Sequence, residues 1–491
     1  MSNSNWAPRA AQEERLRHLE RERASGRATT ELQIERAALL NALDRRGDAQ
    51  QAFVEILLRE PTHFSALNEF GNCLTSMGLI AAACRVYSEA ATRHPDNPMG
   101  HVNLANLLLR GGDLAGARQH YEVALRLSPD HPQAHQGLGA VLSGLGDRGS
   151  AQPHFRKGFA GCSVTSLPYR GSKPPVPLLL LVSSGSGNVP TASFLDDRIF
   201  LTSVIVADFL DPSLPLPPHR AVFNAIGDAD LCTPALSAAA RLIERTRAPV
   251  INEPLAVRKT GRIAVAQRFH ALPGVVTPQM LTLPRATLSG PDGAAAIGAR
   301  GIAFPLLLRS PGFHTGHNFV LVESANKLGA AANSLPGDDL LAIEYLDARG
   351  ADGNARKYRV MIVDGQLYPM HLAISRQWKV HYFTADMADN ADYRREEAAF
   401  LADMRAVIGH KALTALKRIA RELGLDYGGI DFGLSPAGDV LLFEANATMV
   451  VNPPDADERW VYRRAAIGKI LGAVSGMILQ RAAVPAKHKV A

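Results

Sequence analysis

Two consecutive stretches of 34 residues in the N-terminal third of the chain carry the same pattern. Residues 95–128 read PDNPMGHVNLANLLLRGGDLAGARQHYEVALRLS, and residues 129–162 read PDHPQAHQGLGAVLSGLGDRGSAQPHFRKGFAGC. Each begins with proline and carries a glycine midway and an aromatic residue after it. A pattern that returns at this interval predicts paired helices that bury their apolar faces against the next pair.

The same spacing continues outside these two stretches, for prolines, alanines, aromatic residues and turn glycines alike. The recurring residues are Pro61, Pro95 and Pro129, Ala49, Ala83, Ala117 and Ala151, Phe53, Tyr87, Tyr121 and Phe155, and Gly78, Gly112 and Gly146. The pattern resembles the tetratricopeptide (TPR) repeat. We expect three to four such repeats over residues 30–163, after a charged N-terminal extension over residues 1–29. In the first repeat, Gly47 is displaced from the turn position.

Polar side chains on the inner face of such a solenoid are the candidates for binding. Four asparagines on predicted inner helices have helical spacing and would present amides to an extended peptide, namely Asn68, Asn72, Asn103 and Asn106. The alternative is that they belong to ordinary solvated helix faces. A peptide or protein ligand of the repeat region is expected on the first interpretation.

Composition excludes several classes of protein. The chain has 491 residues, of which 46% are hydrophobic and 20% charged, which is typical of a folded multidomain protein. The net charge of +6 comes from interspersed charges, so nucleotide binding explains it as easily as nucleic acid does. The four cysteines lack metal-ligand spacing and suit a reducing compartment. We expect a cytoplasmic protein with neither a nucleic-acid nor a membrane partner.

After the repeats the pattern changes. Residues 164–177 are rich in serine, proline and glycine and are predicted to be a linker. Residues 178–254 contain short apolar runs, which predict mostly parallel strands, and a helix from about 233 to 247. We interpret this segment as an α/β layer.

The segment DYGGIDFGLSPAGDVLLFEANA, residues 426–447, predicts a hairpin with a turn at SPAG. Asp431 and Glu444 are predicted to end its two strands, and Asn446 follows two residues later. Three oxygen ligands gathered in this way suit magnesium, which prefers oxygen donors and bridges nucleotide phosphates. The alternative interpretation is a surface hairpin with charged ends.

Two further segments carry candidate nucleotide contacts. In FPLLLRSPGFHTGHNFVLVES, residues 304–324, Arg309 ends a strand, and Gly312, Thr315 and Gly316 lie in a loop whose amides would contact phosphate. Glu344, Tyr345 and Leu346 end the run LLAIEYL, where backbone groups would meet an adenine edge. Arg359 and Arg376 are predicted on neighbouring strands.

The order of these elements over residues 176–480 resembles the ATP-grasp superfamily, which includes D-alanine-D-alanine ligases, glutathione synthetases and α-L-glutamate ligases. The resemblance implies that Arg262 and Arg309 hold phosphates, that Glu344 to Leu346 hold adenine, and that the 431, 444 and 446 side chains hold Mg²⁺. It also assigns Arg359 to the transferring phosphoryl group, while Arg376, with Lys379 and His381, is a candidate substrate contact. Lysine is usual in this family where Arg262 and Arg309 stand.

The resemblance implies an all-α TPR solenoid, then an α/β pre-ATP-grasp layer, then an α+β ATP-grasp fold over residues 255–480 with a tail over 481–491. The implied function is an ATP- and Mg²⁺-dependent carboxylate-amine ligase that forms an amide through an acyl phosphate. Two alternatives stay open: an ATP-grasp kinase of a hydroxyl acceptor, and a nucleotide-binding TPR scaffold.

Overall fold

The computed structural model describes residues 9–313, 318–380, 385–454 and 456–484. The chain divides into two units. Unit 1 consists of Met1–Ser186 and Asp196–Arg220, and unit 2 consists of Gly187–Leu195 and Ala221–Ala491. The division falls within residues 178–254.

Unit 1 begins with helices that follow one another closely along the chain. They are α1 (Arg9–Ala24), α2 (Thr30–Ala42), α3 (Arg46–Arg59), α4 (Phe64–Ser76), α5 (Ile80–Arg93), α6 (Pro98–Arg110), α7 (Leu114–Leu127), α8 (Pro132–Gly144) and α9 (Arg148–Phe159). From α2 onward, the described residues form four successive helix pairs, as the period predicts. Although α1 lies in the predicted charged extension, its Leu16 and Leu19 are buried in the core of the first pair.

The turn inside each helix pair requires a left-handed backbone. Gly78, Gly112 and Gly146 take φ angles of 75°, 83° and 89° there. In the first pair the equivalent position is Asp44, with φ of 63°, a conformation that aspartate adopts at a modest cost. Its carboxylate accepts hydrogen bonds from Arg170 at 3.0 Å and from Arg198 at 2.8 Å. The first repeat is therefore complete, and Asp44 rather than Gly47 occupies its turn.

A buried tyrosine and an exposed asparagine form a hydrogen-bonded pair that changes together between repeats. The Tyr87 hydroxyl donates to Asn72 Oδ1 at 2.7 Å, and the Tyr121 hydroxyl donates to Asn106 Oδ1 at 2.6 Å. In the last pair the equivalent residues are Ala140 and Phe155, which need no hydrogen bond. Asn72 and Asn106 thus use their amide oxygens within the repeat, while the prediction that these exposed side chains also serve a peptide stays a prediction.

We predict that Asn106→Ala lowers the free energy of unfolding by about 1 kcal/mol, because it removes the hydrogen bond of a buried tyrosine hydroxyl. Adding Tyr121→Phe to this variant should recover most of the loss, since the resulting pair copies Ala140 and Phe155. Chemical denaturation of the four proteins of this double-mutant cycle measures the coupling. Equal losses with and without Tyr121→Phe would contradict the explanation.

Unit 1 ends in strands β1 (Val164–Ser166), β2 (Val176–Val182) and β3 (Phe200–Val206). The strand β3 lies between the other two, antiparallel to β1 and parallel to β2. β1 lies in the stretch predicted to be a linker. The apolar run LLLL of β2 is fully buried, as expected for a strand covered on both faces.

Unit 2 begins with β4 (Ala221–Asn224), α10 (Thr233–Ile243), β5 (Val250–Ile251), α11 (Pro254–Val257) and α12 (Arg262–Phe269). The strands β4 and β5 are parallel, and α10 is the helix expected between them. Asn252, just after β5, has a fully buried side chain that bonds the backbone of Tyr427 in both directions at 2.8 Å. This amide ties the start of unit 2 to its later sheet.

Next along the chain come β6 (Val275–Val276), β7 (Met280–Pro284), α13 (Arg285–Ser289), α14 (Gly293–Gly298), β8 (Leu306–Arg309), β9 (Phe319–Val322), α15 (Leu328–Asn333) and β10 (Asp339–Glu344). Four of these strands form an antiparallel sheet in the order β7-β10-β8-β9. Leucine and alanine side chains of this sheet and its helices form one core, which includes Leu288, Leu306 and Leu340.

The remaining elements are β11 (Ala355–Val363), β12 (Gln366–Ser375), α16 (Ala391–Ala402), α17 (Met404–Leu423), β13 (Tyr427–Leu434), β14 (Val440–Asn446) and α18 (Arg464–Ala483). A second sheet has the order β12-β11-β13-β14-β6, antiparallel except where β14 meets β6. Among the described residues, no helix combines the length and apolar character needed to cross a membrane.

Candidate functional site

One row of ionisable side chains crosses the second sheet. His371 on β12 lies opposite Arg359 on β11, Arg359 lies opposite Asp431 on β13, and Asp431 lies opposite Glu444 on β14. Directly opposed residues have neighbouring side chains on the same face of a sheet. Four strands therefore bring four functional groups into one line.

The strand register shifts beside two members of this row. One irregularity falls between Arg359 and Val360, and another falls between Asp431 and Phe432. Such β-bulges bend a strand and re-aim its side chains, and they are common next to active sites. Asp431 and Glu444 lie within their strands, so the prediction that they end the strands was wrong in position, although the hairpin and its turn are present.

Asp431 is a buried carboxylate held by two cations. Arg359 Nη2 donates to its Oδ2 at 2.8 Å, and Lys357 Nζ lies 2.6 Å from the same oxygen. Burial acts to raise the pKa of Asp431, but Arg359 and Lys357 outweigh burial and hold this pKa well below its usual range. The carboxylate is therefore ionised at every physiological pH.

Glu444 is held in a comparable way by residues from other elements. Arg262, at the start of α12, donates to Glu444 Oε1 at 2.7 Å, and the Asn446 amide donates to the same oxygen at 2.8 Å. Burial raises the pKa of Glu444, but the charge of Arg262 overcomes it, so the net pKa is lowered. Asn446 Oδ1 in turn accepts from Thr448 Oγ1 at 2.8 Å.

His371 is the member of the row whose ordinary pKa lies closest to neutral pH. It is buried, and burial followed by the charge of Arg359 holds its pKa well below its ordinary value. The imidazole is consequently neutral, which avoids a further positive charge beside Arg359 and Lys357.

Two adjoining cavities open onto these residues. The larger has a volume of about 510 Å³ and is lined by Arg359, Asp431 and Glu444, together with residues of the first sheet. The smaller has a volume of about 370 Å³. Both are lined by Arg262, Arg309 and Glu444, which lie where the two cavities meet. Each volume is within the range of small-molecule sites.

The lining of the larger cavity is more basic than acidic. It includes six lysine and arginine side chains, namely Arg262, Arg309, Arg356, Lys357, Arg359 and Lys379, against the carboxylates of Glu344, Asp431 and Glu444. Its apolar part includes Met280, Phe319, Leu346, Met370 and Trp378. Such a cavity suits a ligand that has a flat apolar part and a polyanionic part.

Arg309 is the cation of the first sheet. It ends β8, its guanidinium bonds the backbone oxygen of Phe313, and it lies 5.7 Å from the centre of the Phe319 ring. Burial, and then the neighbouring charge of Arg262, lowers the pKa of Arg309 to about 10. Two adjacent guanidinium groups repel each other, so this site favours an anion between them.

The predicted adenine segment also lines the larger cavity, with Glu344, Tyr345 and Leu346 at the end of β10. Glu344 is tied to Gln279: its Oε2 accepts from Gln279 N, and its own N donates to Gln279 O, both at 2.9 Å. This double contact fixes the point where the chain leaves the strand.

The other predicted residues are placed differently. Gly312 takes φ of 83° and lines the smaller cavity, whereas Thr315, Gly316 and His381 lie outside the described residues. Arg376 follows β12, is exposed, and does not belong to the described lining of either cavity. The structure therefore does not group Arg376 with Arg359.

Sequence reasoning missed Lys357, which contacts Asp431 directly. Its signal was the alternation of a strand: Lys357 and Arg359 are two residues apart on β11, so both side chains point to one face. The loop that follows β4, whose sequence allowed either a substrate contact or a simple turn, also reaches the site. Asp228 and Asp230 line the smaller cavity, and Asp230 Oδ2 accepts from the backbone N of Arg262 at 3.1 Å.

The oxygen ligands proposed for a metal are close together, but they are too few to complete the coordination of a metal ion by themselves. Within the described parts of the chain, no group of three or more histidine, cysteine, aspartate or glutamate side chains is placed to hold a metal ion. The predicted set has two carboxylates and one amide, from Asp431, Glu444 and Asn446. An ion held there needs further oxygen donors, such as phosphate or water.

Comparison with known proteins identifies the repeats. Residues 75–132 match the family model for the tetratricopeptide repeat. No curated protein matches the chain. Solved structures that share similarity include MamA 41-end from Desulfovibrio magneticus RS-1, with 23% identity, covering 31% of this chain and 85% of that one at a TM-score of 0.28. Another is the APC/C hetero-tetramer Cut9-Hcn1, with 17% identity, covering 27% of this chain and 25% of that one at a TM-score of 0.26.

The chain thus carries an N-terminal TPR region followed by a region that contains sheets. TPR regions typically bind peptide or protein partners. The assignment stands on the family model and on the helix pairs.

Proposed function

We propose that unit 2 is an ATP-grasp-type ligase, which uses ATP and Mg²⁺ to join a carboxylate to an amine, and that the TPR region recruits a peptide or protein substrate. The observation that carries the proposal is the lining of the larger cavity. Five separate segments of the chain contribute to it the predicted phosphate, adenine and metal residues: Arg262, Arg309, Glu344 to Leu346, Arg359, and Asp431 with Glu444.

The residues fit the charges of the proposed ligands. Arg262 and Arg309 would hold the phosphates nearer the nucleoside, with guanidinium groups that bind phosphate through two donors. Asp431, Glu444 and Asn446 would hold Mg²⁺, because their oxygen atoms are the donors that this ion prefers. When bound, Mg²⁺ neutralises charge on the phosphates during transfer.

The proposed reaction has two steps. A substrate carboxylate oxygen bonds to the γ-phosphorus while the bond to the β,γ-bridging oxygen breaks, which gives an acyl phosphate and ADP. An amine nitrogen then bonds to the acyl carbon, phosphate leaves, and the nitrogen loses a proton. Arg359 would stabilise the charge of the transferring group, in keeping with its position beside Asp431. Burial acts to lower the pKa of Arg359, but the charge of Asp431 outweighs burial and raises this pKa, so the guanidinium stays charged.

A substitution at Arg309 tests the proposed nucleotide site. We expect Arg309→Ala to weaken the binding of ATP with Mg²⁺ by roughly 10- to 100-fold, because it removes a charged hydrogen-bond donor from a buried site. Arg309→Lys should lose less, since it keeps the charge without the planar fork. Calorimetry with ATP measures both, and unchanged affinity in Arg309→Ala would contradict the placement of phosphate beside β8.

A further inference from the structure

Two pairs of histidines lie in the repeat array, far along the chain from the residues of the proposed nucleotide site. His101 on α6 faces His120 on α7, with the Nδ1 atoms 3.1 Å apart, and His135 on α8 faces His154 on α9, with the Nδ1 atoms 2.8 Å apart. Each pair joins the two helices of one repeat. The pairs are equivalent, because both members are displaced by one repeat length of 34 residues.

The backbone sets the proton position on one ring of each pair. Nε2 of His101 lies 3.1 Å from the carbonyl oxygen of Pro95, and Nε2 of His135 lies 2.8 Å from that of Pro129. A carbonyl oxygen only accepts, so Nε2 must carry the proton in both rings. The Nδ1 atoms of His101 and His135 are therefore left with a lone pair directed at the facing imidazole.

A preceding repeat shows that packing alone does not require histidine at these positions. One repeat length before His101 and His120 stand Leu67 and Val86, which are apolar and buried or half-buried. His101 and His135 are 8% and 4% exposed, so two repeats bury an imidazole where another uses leucine. Burying a polar ring is costly, and a ligand would offset that cost.

The geometry points to a transition-metal site at each pair, in which the two Nδ1 atoms bind one divalent ion of the Ni²⁺ or Cu²⁺ class. With metal–nitrogen bonds of about 2.0 to 2.1 Å, the observed Nδ1 separations correspond to an angle of roughly 90° at the metal. This angle suits adjacent positions of a square-planar or tetragonal ion.

Two further features agree with this assignment. Metal-binding histidines usually donate their other N–H to a carbonyl or carboxylate, as His101 and His135 do here. His120 and His154 are half-buried, which leaves the outer side of each pair open to water as a source of further ligands.

Binding requires no net loss of protons from a neutral pair. Without metal, one Nδ1–H donates to the facing Nδ1; with metal, the proton of His120 or His154 moves to its Nε2. An ion in either place would clamp two helices of a repeat together and stabilise the array against unfolding.

The test is a calorimetric titration of the full chain with NiCl₂. We expect two equivalents to bind, one to be lost in His120→Ala, the other in His154→Ala, and both in the double variant. His410→Ala, which removes an exposed histidine of unit 2, is the control and should retain both. Failure of the natural chain to bind Ni²⁺, or two equivalents in the double variant, would overturn the proposal.

A second measurement guards against variants that fail to fold. The double substitution His101→Leu with His120→Val copies Leu67 and Val86, and should keep helical circular dichroism while losing one equivalent of Ni²⁺. Ni²⁺ should raise the thermal unfolding temperature of the natural chain more than that of this variant. Mg²⁺, which prefers oxygen ligands, should not act through the pairs, so an equal shift with Mg²⁺ would also count against them.

Discussion

Replacing Asp431 by asparagine should lower the free energy of unfolding of unit 2 by about 3 kcal/mol. The side chain is buried, and its charge is the partner of both Lys357 and Arg359. Removing one partner of a buried ion pair commonly costs about 3 to 5 kcal/mol. We expect the lower end, because Lys357 and Arg359 are 20% and 21% exposed and keep part of their hydration.

Differential scanning calorimetry measures this loss, because a chain with two units need not unfold in one step. Asp439→Asn on the same hairpin is the matched control: Asp439 pairs with the exposed Lys411, so this substitution should cost much less than Asp431→Asn. Adding Lys357→Met to the Asp431 variant should recover part of the stability. Equal stability of the Asp431 and Asp439 variants would show that the row of charges does not contribute to the stability of unit 2.

The second large effect concerns the proposed metal. We expect ATP to bind the natural chain only with Mg²⁺, and Glu444→Gln to weaken that binding by at least about 100-fold. Residues that merely support a metal ligand already change affinity by about 10- to 100-fold, and Glu444 is proposed as a ligand itself. It also orients Arg262 through the contact at 2.7 Å. One substitution therefore removes a metal oxygen and frees a phosphate-binding cation.

Calorimetry with ATP, in the presence of Mg²⁺ and in the presence of a chelator, measures this effect. Glu323→Gln is the control, since Glu323 is exposed and its contact is with the neighbouring Lys327. The melting temperature of the Glu444 variant separates a lost ligand from a lost fold. Equal ATP affinity with and without the metal, together with unchanged affinity in Glu444→Gln, would remove the metal assignment and leave the cavity as a site for another anion.

The stabilisation by Asp431 and the binding role of Glu444 follow from the same arrangement. Two carboxylates on adjacent strands repel each other, so in the absence of ligand they need cations. Lys357 and Arg359 neutralise one, and Arg262 neutralises the other. A triphosphate with Mg²⁺ offers both signs of charge, and so can replace these contacts without leaving a buried charge alone.

Much of this protein can be predicted from local patterns. The repeat period determined the helix pairs. Each turn and each helix contact accepts only residues of a certain size, so the recurrence of such residues in the sequence identifies these positions directly. The SPAG turn likewise determined that Asp431 and Glu444 share a hairpin. Even the replacement of the Asn106 and Tyr121 pair by Ala140 and Phe155 in the next repeat can be recognised in the sequence, since both positions recur with the period.

Contacts between distant segments were decided only by the tertiary structure. Arg262 and Glu444 are 182 residues apart, and their meeting depends on how α12 packs beside β14. Asp44, which occupies the first turn, is contacted by Arg170 and Arg198 from the segments that precede β2 and β3. Local periodicity predicts which face of a helix or strand is buried. The free energy that selects the element against which this face packs comes from packing across the whole unit.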